Sequence, residues 1–137
     1  MGLRRQSREI ALQVLYQMEF LPHLTADEAL NLYLENFEVS PDIRDFAVEL
    51  SLGVWANRKE LDQLIGANSQ NWKIARMAIV DKNILRIAAF EMKFLKTQIP
   101  LKVSIDEAIE IAKRFGTGDS SSFINGVLDN IAKSLNA

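Results

Sequence analysis

The run Arg114-Phe115-Gly116-Thr117-Gly118-Asp119-Ser120-Ser121-Ser122-Phe123 ends one helix with a glycine and starts another with an Asp/Ser pair. That spacing sets an aromatic ring in the first turn of the new helix, beside free backbone N–H groups. Such a corner can stack a nucleic-acid base on the ring while the helix end holds a phosphate. An acid at Asp119 can accept hydrogen bonds from base amino groups, or it can simply cap the helix. The same residues also describe an ordinary helix–turn–helix corner with Phe123 in the core. A second cluster stands at the start of the chain, where Arg4, Arg5 and Arg8 precede any acid. On a helix they share one face. Cations there oppose the helix dipole, at a cost of a few tenths to about 1 kcal/mol each. Phosphate binding accounts for tolerating that cost; so does a solvated, frayed terminus.

The remaining chemistry-bearing residues are sparser. Asp81 and Lys82 open an apolar helix and are candidates for contact with a protein partner. Arg86, in the middle of that helix, is either a ligand group or a buried arginine satisfied by a carboxylate such as Glu91 or Glu107. Tyr16 falls near the arginine face and suits either a nucleic-acid surface or the core. His23 is the only histidine and there is no cysteine, so a metal centre is not expected. Gly116-x-Gly118 lacks the preceding strand and following lysine of a phosphate loop. Ser120, Ser121 and Ser122 have no base nearby. No enzyme activity and no cofactor are expected.

The elements that must position these residues all read as helix, without a period-2 strand. Ala11, Val14, Leu15 and Met18 line the first, which Pro22 closes. Thr25 with Glu28 is a capping box opening the second, lined by Leu30, Tyr33, Leu34 and Phe37. Ser40-Pro41 is an N-cap with proline at the first helical position of a third. A shorter helix spans Arg58 to about Ala67, and Gly66 to Trp72 is the best boundary in the chain. A helix from about Val80 to Lys96 is apolar almost all round and so central. Ser104 with Glu107 reads as a second capping box, with Asp106, Glu107 and Glu110 on a solvated face. Gly116 suits the C′ position. Gly126, costly inside a helix, implies close approach of another helix. Trp55 and Trp72 fill core or inter-bundle space.

Composition is that of an ordinary globular domain: 137 residues, 48% hydrophobic and 25% charged. A chain this long buries roughly 68% of its unfolded surface. The net charge of −2 weighs weakly against nucleic acid, because phosphate responds to local fields rather than to the whole-chain sum. The absence of cysteine fits a reducing cytoplasm, and no apolar run approaches the roughly 20 residues of a membrane span.

Together with Val80-Asp81-Lys82-Asn83-Ile84-Leu85-Arg86-Ile87-Ala88 and Arg4-Arg5-Gln6-Ser7-Arg8-Glu9-Ile10-Ala11-Leu12, the corner resembles the NusB family of bacterial transcription antitermination factors. The blocks fall in the family's order and spacing over nearly the whole chain. The resemblance implies an all-α fold of about seven helices in two small bundles packed crosswise, one domain over 1–137 with subdomains at about 1–66 and 72–137. It implies binding to the boxA element of ribosomal RNA transcripts together with NusE, a small-subunit ribosomal protein, within the RNA polymerase antitermination complex. It carries the RNA surface onto Arg4, Arg5, Arg8, Asp119 and Phe123, extended by their neighbours Tyr16, Lys113 and Ser120. Asp81, Lys82 and Arg86 are the expected partner-binding group. Gln6 and Ser122 stand where relatives often have a basic residue, which predicts a shallower salt dependence. Two other readings stay open. One is a dimeric or partner-bound interaction module with little RNA binding. The other is the N-terminal domain of an RNA methyltransferase, less expected because no catalytic domain follows Ile131-Ala132-Lys133.

Overall fold

The computed structural model describes residues 3–36, 38–70 and 73–136. Phe37 and Trp72, assigned above to core positions, lie outside the described residues. Within them the chain forms seven α-helices: α1 (Leu3–Phe20), α2 (Ala26–Asn36), α3 (Pro41–Ala56), α4 (Arg58–Ala67), α5 (Ile79–Phe94), α6 (Leu101–Phe115) and α7 (Ser120–Asn136). A single 3-10 turn at Ile74–Arg76 precedes α5.

The start of α2 follows the sequence closely. The Thr25 N–H donates to Glu28 Oε1 at 2.8 Å and the Glu28 N–H donates back to Thr25 Oγ1 at 3.1 Å. Two orphan donors are satisfied reciprocally. Ser40 is the N-cap of α3 with Pro41 behind it, although its hydroxyl makes no capping bond. Between α3 and α4 the chain turns on Asn57, whose Nδ2 donates to the Gly53 carbonyl at 2.7 Å.

Helix α5 is the axis of the molecule. Ten consecutive residues, Asn83–Met92, are buried. The sequence made this helix apolar all round because α1, α3, α4, α6 and α7 all pack against it. Helices α2 and α3 close over α1, and α7 lies along α6. The core runs through Leu15, Leu50, Leu61, Leu85, Met92 and Leu128, none of them in contact with solvent.

Three local expectations are corrected. Helix α6 starts at Leu101 after Pro100, not at Ser104. Ser104 is buried in the first turns and donates to Glu91 Oε1 at 2.8 Å, while Glu107 is drawn to Arg5, so neither side chain is available to cap. Gly116 caps α6 with extended backbone (φ −93°, ψ −168°), not the left-handed turn of a C′ glycine. It is required by crowding instead: a Cβ there would collide with the Ser120 side chain and stand 2.9 Å from the Ala112 carbonyl oxygen. Among the described residues nothing stands within 4 Å of where a Gly126 side chain would be, so no described helix approaches it.

Candidate nucleic-acid interface

The α6–α7 corner is held by one small side chain. Ser120 Oγ accepts the Thr117 N–H at 2.9 Å, and the Phe123 N–H donates to the Asp119 carbonyl at 3.2 Å. These bonds fix the ring of Phe123 in the first turn of α7. There it borders a concavity of about 450 Å³ with Asp119, Arg76 and Asp81. A second concavity, of about 410 Å³, lies between Tyr16, Tyr33, Val80 and Phe115. A third, of about 300 Å³, shares Asp81 and Thr117 with the first and Tyr16 and Phe115 with the second. The three form one trough that crosses the N-terminal end of α5 from Tyr16 to Phe123. Its walls are apolar and aromatic with a few charged groups, as a stacking surface for bases requires.

Tyr16 is 42% exposed and its ring centroid lies 5.0 Å from that of Phe20, which is 57% exposed. Phe123 is half-buried, Asp119 exposed and Asp81 half-buried. Asp81 Oδ1 is shielded from solvent and accepts no hydrogen bond from the described residues. Arg76 was not singled out from the sequence. It follows the Gly66–Trp72 boundary, and only the fold brings it across from Phe123.

A basic strip adjoins the trough. The Arg114 guanidinium carbon lies 5.1 Å from the ring centre of Phe115, which lines the trough, and its Nη1 donates to Glu9 at 2.9 and 3.1 Å. Four residues before Glu9, Arg5 donates through Nε and Nη2 to both oxygens of Glu107, each at 2.8 Å. That hydrogen-bonded pairing holds the Glu107 carboxyl below the ordinary carboxylate range and raises the Arg5 guanidinium. Glu107 is thus engaged, not merely solvated as its helix face suggested. Arg4 is exposed, its guanidinium carbon 5.4 Å from the centre of the Phe46 ring. Lys113 is exposed and bonds Glu110 at 3.2 Å.

Three residues expected at the binding surfaces are buried and hydrogen-bonded within the protein. Arg8 is 2% exposed and forks onto Glu91, itself 1% exposed, at 2.7 and 2.8 Å. Its position on α1 turns it inward, and Glu91 balances its charge in the core. Ser120 is 2% exposed because its hydroxyl is needed by the Thr117 N–H. Arg86 is buried on the Asp62 carboxylate at 2.8 Å twice over, with Glu19 and Asn83 Oδ1 each at 3.1 Å. The expected carboxylates, Glu91 and Glu107, go to other arginines. Lys82 is half-buried and pairs with Glu19 at 3.3 Å. Burial alone would raise the Glu19 carboxyl, but Lys82 and Arg86 outweigh it and hold it low. Among the described residues no group of three or more His, Cys, Asp or Glu could hold a metal ion. Nor is any helix of the described residues long and apolar enough to cross a membrane.

The NusB family model matches residues 5–133. Transcription antitermination protein NusB of Desulforapulum autotrophicum is 51% identical over 133 residues, covering 96% of this chain and 92% of that protein. The solved structure of T. maritima NusB superposes with a TM-score of 0.85 at 37% identity, over 95% of this chain and 90% of its own. A crystal structure of NusB and NusE in complex with dsRNA shares the fold, with a TM-score of 0.84 at 24% identity and 98% of each chain covered. A full-length match at this identity, on the same seven-helix fold, places the chain in the NusB family.

Proposed function

We propose that this chain is a transcription antitermination factor that binds boxA-type RNA together with NusE and joins the RNA polymerase antitermination complex in the cytoplasm. The observation that carries the reading is the continuity of the trough from Tyr16 to Phe123 with the basic strip of Arg5 and Arg114. Bases stack along the trough while the strip and the exposed Arg4 meet the phosphates. Arg4, Arg5, Lys113 and Arg114 supply the charge, and Tyr16, Asp119 and Phe123 face the bases. Asp81, at the middle of the trough, belongs to this surface or to its border with the protein partner. Membership of the family supports the reading, as does the NusB fold in which a related protein was crystallised with NusE and dsRNA.

The mechanism is one of binding alone. A base on an aromatic ring contributes about 1–3 kcal/mol. Each phosphate contact on a single strand adds about 0.7 to the salt slope. A second protein bound to the same RNA raises total affinity through effective concentration. The test is titration of the protein into labelled boxA RNA and a scrambled control, with and without NusE, at two salt concentrations. Preference for boxA, strengthened by NusE and weakened by salt, is expected. Equal binding to both RNAs, or none, rejects the reading in favour of a protein-interaction module.

A further inference from the structure

The cations of the basic strip are already occupied. Arg5 spends Nε and Nη2 on Glu107, and Arg114 spends Nη1 on Glu9. Both pairs bridge α1 and α6, and Glu107 also stands 3.6 Å from Arg8 Nη1. A carboxylate and a phosphate present the same paired oxygens to a guanidinium fork. The donors that would grip a phosphate are therefore those that Glu107 holds. Arg4 differs, since among the described residues no carboxylate pairs with it.

The acids are better anchored than the arginines. The Glu9 side chain is 15% exposed and Arg114 68%; Glu107 is 21% exposed and Arg5 36%. In each pair the carboxylate sits beneath and the guanidinium above, so the cation is the member free to leave.

We propose that Glu107 and Glu9 are internal competitors for RNA phosphate, holding Arg5 and Arg114 down on the α1/α6 seam until phosphate displaces them. This rests on the RNA-binding reading above. Part-exposed ion pairs are weak, so the competition lowers affinity by about two- to fivefold per pair rather than blocking binding. It sets the affinity of the chain alone low enough for a second protein to decide whether the RNA is retained.

The experiment measures boxA RNA binding by fluorescence anisotropy across a salt series. The proteins are wild type, Glu107→Gln, Glu9→Gln, Arg5→Gln and the double variant Arg5→Gln/Glu107→Gln. Glu35→Gln on α2 serves as a control that removes the same charge elsewhere. Thermal melts confirm that each variant is folded. Arg8 keeps Glu91 in every one of them, and the Glu9 pair offers a second, more exposed test. Glu107→Gln is expected to tighten binding about two- to fivefold and to steepen the salt slope by up to about 0.7. The gain disappears in the Arg5→Gln background, and Glu35→Gln leaves the slope unchanged. If Glu107→Gln weakens binding, or its gain survives without Arg5, Glu107 is not a competitor, although salt-sensitive binding by the wild type still stands. Failure of the wild type to bind RNA at any salt overturns the RNA reading and this inference together.

Discussion

The guanidinium of Arg8 and the carboxylate of Glu91 are both removed from water and satisfied by each other, with Ser104 donating a third bond to the acid. Deleting one partner strands the other charge in the core. Arg8→Ala is expected to cost about 3–5 kcal/mol in a urea melt, and any loss of RNA binding it causes is expected to follow the loss of folded protein. Phe123 should behave in the opposite way. It is only half-buried at the rim of the trough, so Phe123→Leu keeps most of its packing but not its stacking face. Both Phe123→Leu and Phe123→Ala are expected to weaken boxA binding, the alanine by about 1–3 kcal/mol, with the Phe123→Leu melting temperature close to wild type. An unchanged affinity would remove the ring from the interface. At this scale residue types were legible and partners were not. The corner and the arginine cluster stand out in the chain, and the stripe of Ala11, Leu15 and Met18 runs back through Arg8, yet the sequence does not say which carboxylate meets it. Arg86 meets Asp62 and Glu19 because α5 lies against α4 and α1, a fact of packing rather than of spacing.

Helices carry their own start and stop signals, and these read well where the signal is local. The Thr25–Glu28 box and the Ser40-Pro41 start are both where the sequence puts them. The pattern failed at α6, where Ser104 and Glu107 have capping spacing but are taken by Glu91 and Arg5 from other helices. The two glycines of the C-terminal region divide in the same way. Gly116→Ala forces a methyl group into Ser120 and breaks the corner, and is expected to destabilise the protein and weaken RNA binding together. Among the described residues, Gly126→Ala meets open space on an exposed helix face. It should stabilise the protein by up to about 1 kcal/mol, read as a raised denaturant midpoint with an unchanged slope. A Gly126→Ala variant that is less stable would mean that a neighbour fills that space.

Over the whole molecule, charged pairs tie distant helices together. Glu19 joins α1 to α5, and Glu107 joins α6 to α1. Both carboxyls are held below their ordinary value of 4.5 in the folded protein. A lowered folded-state value means that their contribution is complete above the unfolded value and drains away as pH falls through the folded one. The melting temperature is therefore expected to be level near neutrality and to fall as the pH drops below about 4.5; a melting temperature that holds or rises there would contradict the assignment. The all-α class and the central helix were legible because α5 is buried on every side and its sequence shows it. The trough was not, because Tyr16, Asp81 and Phe123 come from three helices far apart in the chain. The Arg8–Glu91 pair has a further consequence, in time rather than in space. Its members are separated by 83 residues, so as the chain leaves the ribosome α1 is made long before the carboxylate that will bury its arginine. Until α5 emerges, Arg8 keeps its charge in water and α1 can pack only on α2 and α3. Contacts of such long sequence separation form late. The Arg8 side of α1 should therefore lock into place only after α5 has been made, later than the side that packs on α3.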